Sequence, residues 1–79
     1  MKTILITLFF KIIFLDSQNQ ETLTGVRVET NNGVYYSDLS GEVFIPTEEK
    51  IISVYYVSYI SLDELQPKSD TTIHLCQIK

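Results

Sequence analysis

Alanine and tryptophan are absent from this 79-residue chain, which also holds one cysteine, one histidine, three glycines and two prolines. Each scarcity removes a class of explanation. A single cysteine, Cys76, allows no internal disulfide, so the fold must stand on its apolar core. A single histidine, His74, cannot build a zinc site, which takes about four Cys, His or carboxylate ligands. It also gives little support to a nucleophilic triad, which needs a Ser or Cys beside a base and an orienting acid. Positive charge is scarce too. Six basic residues, Lys2, Lys11, Arg27, Lys50, Lys68 and Lys79, stand singly against ten acidic ones, for a net charge of −4. Counterion release from phosphates needs clustered Lys and Arg, so neither nucleic acid nor an anionic membrane surface is an expected partner. No apolar run reaches the roughly 20 residues of a transmembrane helix.

What is present is apolar and β-prone. Hydrophobic residues make up 44% of the chain and charged residues 20%, a globular rather than a disordered balance. Val, Ile, Thr, Tyr and Phe dominate, which favours strands. The length allows one domain, in which roughly 60% of the unfolded chain's surface becomes buried.

The N-terminus has two readings. Met1-Lys2-Thr3 followed by Ile4 to Phe10 has the positive start and apolar run of a secretory signal, although Lys11 interrupts it and no small-x-small cleavage site follows. Alternatively, Ile4, Ile6, Leu8, Phe10, Ile12 and Phe14 share one face of a strand, with Thr7 and Lys11 on the other. The expected division is residues 1–9 as a signal-like segment or strand extension, and residues 10–79 as the domain. Export is the expectation, and cleavage after residue 17 would then remove the first strand.

Beyond the polar loop Asp16–Thr22, alternation at period two marks a succession of short strands. Leu23–Thr30 sets Val26 and Val28 on one face and Arg27 and Glu29 on the other. Asn31-Asn32-Gly33 predicts a type I′ hairpin turn back into Val34–Ser37. Asp38-Leu39-Ser40-Gly41 predicts a second turn, because Asp bonds the backbone two residues on and Gly supplies an unusual dihedral. Glu42–Ile45 is the next strand. The longest candidate is Ile51–Ile60, with Ile52, Val54 and Tyr56 on one face. Ser61–Leu65 reads as one irregular or helical turn, and Thr71–Cys76 as the closing strand. These elements predict an all-β, Greek-key sandwich of six or seven short antiparallel strands. Its expected core is Phe14, Val26, Val28, Val43, Ile45, Ile52, Val54, Ile73 and Leu75.

In this order the segments Phe14-Leu15-Asp16, Leu23-Thr24-Gly25-Val26-Arg27-Val28, Ser37-Asp38-Leu39-Ser40-Gly41-Glu42-Val43-Phe44-Ile45, Ile52-Ser53-Val54-Tyr55-Tyr56-Val57-Ser58-Tyr59 and Thr72-Ile73-His74-Leu75 form a pattern. The pattern resembles the carboxypeptidase regulatory-like domain of the transthyretin-like (prealbumin-like) group. Thr24 stands where proline is common, Val43 where phenylalanine is usual, and Ser58 in place of a glycine. The resemblance implies a non-enzymatic accessory domain. Such domains are attached to exported peptidases or placed ahead of the plug in outer-membrane TonB-dependent receptors. It also implies a periplasmic or outer-membrane-associated location and a protein partner in the cell envelope. The chain is then either a free-standing relative or a piece of a longer precursor.

Candidate chemistry is sparse. His74, between Ile73 and Leu75, falls on the solvent side of its strand. Asp16, Asn19 and Glu21, or Asp38 with Glu42, lack the spaced oxygen array of a calcium loop, and turn formation accounts for Asp16 and Asp38. No catalytic residue, cofactor or metal ligand is expected. Among the five tyrosines, Tyr36 and Tyr55 are expected on the exposed face. Tyrosine joins apolar area to a hydroxyl and suits binding surfaces, for a protein or for carbohydrate. Cross-strand pairing is the competing account of tyrosines on an open sheet face.

Overall fold

A computed structural model describes residues 8–67 and 69–78. Residues 1–7 of the signal-like segment 1–9 therefore lie outside the described residues. Seven strands form: β1 (Phe9–Asp16), β2 (Arg27–Thr30), β3 (Val34–Tyr36), β4 (Glu42–Pro46), β5 (Ile51–Tyr55), β6 (Leu62–Asp63) and β7 (Thr71–Leu75). They make two sheets, of order β4-β1-β7 and β3-β2-β5-β6. The chain crosses between sheets after β1, β3, β4 and β6, which is the Greek-key sandwich that the alternating pattern predicts. β1 starts at Phe9, one residue ahead of the expected domain boundary, and occupies the centre of its sheet.

One pairing departs from the expected all-antiparallel arrangement. β1 and β7 run parallel, Ile12 opposite Thr71 and Asp16 opposite Leu75. Parallel neighbours need a long connection, and the whole four-stranded sheet together with β4 lies between these two strands in sequence. Alternation records which face a side chain takes and is blind to strand direction.

The two inner faces meet in one apolar cluster. Ile12 and Phe14 of β1, Val43 and Ile45 of β4, and Leu75 of β7 pack against Leu23, Val26, Val28, Ile51 and Val54. Seven of the nine expected core residues are buried, and Ile73 is half-buried against the cluster. Ile52 is the correction, being 46% exposed while Ile51 is buried. The cause is a β-bulge. Thr30 pairs with Ile51 but Glu29 pairs with Ser53, so Ile52 is the extra residue on β5. A bulge breaks the period of two, so Ile51 and Val54 both face inward although they are three apart.

Other local expectations shift for similar reasons. The long strand stops at Tyr55, and Tyr56 to Tyr59 form a turn closed by the Tyr59 N–H donating to the Tyr56 carbonyl (3.0 Å). Ser58 takes the left-handed φ of 68° in the third position of that turn, so the bend forms without the glycine usual there. Ser61–Leu65 is not helical; Leu62 and Asp63 pair with Val54 and Ser53. The strand expected from Leu23 begins only at Arg27. The Asn31-Asn32-Gly33 hairpin forms, but none of its residues has positive φ, so the turn is not type I′. Thr30 closes it instead, its Oγ1 accepting from the Asn32 and Gly33 N–H groups (3.1 Å each) and donating to Glu49 Oε1 (2.6 Å).

Candidate functional site

The outer face of the four-stranded sheet carries an ordered row of binding-type side chains. Arg27 on the inner strand β2 lies opposite Tyr36 of β3 on one side and opposite Tyr55 of β5 on the other. Residues directly opposite in a sheet project from the same face, so the three form a row of phenol, guanidinium and phenol. The tyrosines stand two strands apart, about 9.5 Å. Both are exposed, Tyr36 by 61% and Tyr55 by 50%. The next row is Val34, Glu29, Ser53 and Asp63. Arg27 Nη1 lies 3.4 Å from Glu29 Oε1, with both side chains about two-fifths exposed, a pair that adds little to stability. The pair draws the guanidinium along β2 toward the Glu29 row and leaves it part-exposed. The sequence places Tyr36 and Tyr55 on the exposed side; their alignment about Arg27 comes from the sheet register.

The remaining tyrosines serve the interior. Tyr56 and Tyr59 pack with ring centroids 5.3 Å apart and planes at 47°. The Tyr35 hydroxyl reaches both oxygens of Glu49 (2.9 Å each), and this carboxylate pushes the Tyr35 phenol above its ordinary value, with burial adding to the effect.

Asp16 is the strongest polar node and was legible only as a turn former. It ends β1 as a residue 1% exposed. Its Oδ1 accepts from the Gln18 and Asn19 N–H groups (2.7 and 3.1 Å), while Oδ2 accepts from Tyr59 Oη (2.6 Å) and Gln77 Nε2 (3.1 Å). One carboxylate thus fastens the 16–21 loop, the 56–59 turn and the segment beyond β7. The Tyr59 hydroxyl, then the two backbone N–H groups and Gln77, hold the Asp16 carboxyl below its ordinary value against the opposing effect of burial. Its contact with that carboxylate raises the Tyr59 phenol.

These directions set the pH response. The folded protein takes up the Asp16 proton less readily than the unfolded chain does. The stabilisation is therefore whole above the unfolded carboxyl value near pH 4 and is lost as pH falls through the lower folded value. Tyr35 and Tyr59 have the opposite sign: their stabilisation is whole below the unfolded phenol value near 10 and lost as pH rises through the raised folded values. Urea midpoints measured against pH should show a steep acid limb in the natural chain and a shallower one in Asp16→Asn. Equal acid limbs in the two proteins would show that Asp16 does not govern it.

The other candidates are dispersed. His74 lies on the outer face of the three-stranded sheet with its ring Nε2 2.9 Å from Gln20 Oε1. Cys76 is exposed. Asp38 Oδ1 accepts from the Ser40 and Glu42 N–H groups (2.9 Å each), which is its turn role. Among the described residues no three His, Cys, Asp or Glu side chains converge on a point that could hold a metal ion. No helix among them is long and apolar enough to cross a membrane. Two open cavities, of about 360 and 220 Å³, share Gln66 near the β6–β7 connection; Lys50, Ile51, Ile52 and Glu64 line the larger, and Leu65, Pro67, Thr71 and Ile73 the smaller. Neither is lined by Arg27, Tyr36 or Tyr55.

Comparison with known proteins finds no family model, no curated protein and no solved structure that matches this chain.

Proposed function

We propose that this chain is a non-catalytic interaction domain of the carboxypeptidase regulatory-like kind, serving an exported or cell-envelope protein. The observation that carries the reading is the Tyr36–Arg27–Tyr55 row, with both tyrosines exposed, on the outer face of the four-stranded sheet. Tyr and Arg are the side chains that dominate protein–protein contacts, because they offer large area and directed donors at small entropic cost. The ordered motif resemblance supports the accessory role. The partner is a protein of the cell envelope that covers this face.

Replacing Tyr36 by a photo-crosslinking phenylalanine analogue, in the cells that make the protein, should trap that partner on irradiation. Tyr55→Ala should then reduce the trapped species, corresponding to an affinity roughly 5- to 30-fold weaker, while leaving the thermal midpoint nearly unchanged. The reading fails if Tyr36 traps nothing, or if Tyr55→Ala leaves the trapped species undiminished.

A second reading, a small carbohydrate-binding module, is favoured by one observation: two exposed tyrosines stand on either side of Arg27 in a single row of the sheet. Sugar rings stack on tyrosine faces while Arg bonds hydroxyls. Titration with a glycan panel, following the Tyr36 and Tyr55 ring signals, decides this; signals that stay fixed exclude it.

A further inference from the structure

The opposite side of the molecule has a different character. The outer face of the three-stranded sheet β4-β1-β7 carries Phe9, Lys11, Ile13 and Leu15 from β1, Glu42 and Phe44 from β4, and Thr72 and His74 from β7. Phe9 and Phe44 are 53% and 52% exposed, and Ile13 and Leu15 are half-buried. A sheet face left to solvent ordinarily carries polar side chains. Here four apolar residues form a strip along β1 and β4, bordered on the β7 side by Thr72 and His74, an arrangement that marks an interaction surface.

The register defines the pattern of charge on that face. Lys11 lies opposite Phe44, and Ile13 lies opposite Glu42. These four residues are the corners of a quadrilateral with the charges on one diagonal and the apolar groups on the other. A twofold axis lying in the plane of contact, along the Phe44–Ile13 diagonal, has two consequences at once. It brings Phe44 onto the Phe44 of a second copy and Ile13 onto its Ile13. It also carries each end of the other diagonal to within roughly 3 Å of the opposite end, so that Lys11 of each copy faces Glu42 of the other within side-chain reach. The face is complementary to itself, as an isologous interface requires. Within the chain, the one side-chain ion pair among the described residues is Arg27–Glu29, so Lys11 and Glu42 do not satisfy each other there.

We propose that this face is the contact of a twofold-symmetric homodimer, with Phe44 at the axis and two Lys11–Glu42 ion pairs beside it. The proposal is independent of the tyrosine row, which lies on the outer face of the other sheet and stays exposed in such a dimer.

Sedimentation velocity of the whole chain over a range of concentrations tests it. The natural protein should sediment as a dimer that dissociates on dilution. Phe44→Asp should sediment as a monomer, with an unchanged far-UV spectrum showing that it is folded. Lys11→Glu and Glu42→Lys, each alone, set like charges against each other and should weaken the dimer roughly tenfold or more; the double swap should restore it. A chain that is monomeric at every concentration overturns the proposal. So does a dimer indifferent to Phe44→Asp, which would place the contact elsewhere, for instance at a strand edge. Failure of the double swap to rescue would overturn the arrangement of the two diagonals.

Discussion

A chain lacking residues 1–17 is expected to lose cooperative folding altogether. β1 lies between β4 and β7, and each of those two strands has β1 as its one partner within the sheet. Its removal therefore dissolves the three-stranded sheet. It also withdraws Ile12 and Phe14, both wholly buried, from the centre of the core. Burying two such side chains contributes about 3–6 kcal/mol. A domain of this size has a total stability of roughly 4–12 kcal/mol. Asp16 leaves with the strand, releasing the Tyr59 and Gln77 contacts. The truncated chain should show no thermal transition and no dispersed amide spectrum. A sharp transition near that of the intact chain would mean that β1 is dispensable. The result bears on export: a signal cleavage that kept the fold intact has to spare β1, and cleavage after residue 17 would require another chain to supply that strand.

Gly41→Ala should be the most damaging of the three Gly→Ala changes in this chain. Gly41 has φ of +74°, where a residue with a side chain is disfavoured by about 1–2 kcal/mol. Steric conflict adds to this. A Cβ at position 41 would lie 2.8 Å from the Phe14 carbonyl oxygen, 3.1 Å from Thr22 Cβ and 3.3 Å from the Leu23 N–H nitrogen. Two of these neighbours are backbone. The same carbonyl of Phe14 accepts from Leu23, and the Phe14 N–H donates to the Gly41 carbonyl, so relief would break backbone hydrogen bonds that tie β1 to its neighbouring segments (3.0 and 2.8 Å). Together the two effects should destabilise the protein by about 2–4 kcal/mol, read as a lower urea midpoint. Gly25→Ala is the natural comparison. It shares a positive φ of 83° but would meet no atom within 4 Å, so it should show the conformational penalty alone. Equal losses at the two positions would show that the crowding at Gly41 carries no weight.

The strands were legible because their side chains alternate, and that alternation also separates inward Val28 and Val54 from outward Arg27 and Tyr55. It failed at Ile51 and Ile52, because a bulge alters the period without any compositional sign at that place. Strand direction was equally hidden: Ile73 and Leu75 face inward whether β7 runs with β1 or against it. The candidate site divides in the same way. Exposure of Tyr36 and Tyr55 follows from the pattern of each strand alone. Their placement on either side of Arg27 depends on pairings with different strands, which no local stretch encodes. Asp16 was readable as a turn former, yet its bonds to Tyr59 and Gln77 span 43 and 61 positions.

Both proposed surfaces stand or fall with strand register, since a slip of one residue turns every side chain of a strand to the other face. Cross-strand nuclear Overhauser effects in the isotope-labelled chain measure it directly. Arg27 should show contacts to Tyr36 and to Tyr55, and Lys11 to Phe44. Contacts from Arg27 to Tyr35 or Val54 instead would contradict the account, because the tyrosine row would then not exist.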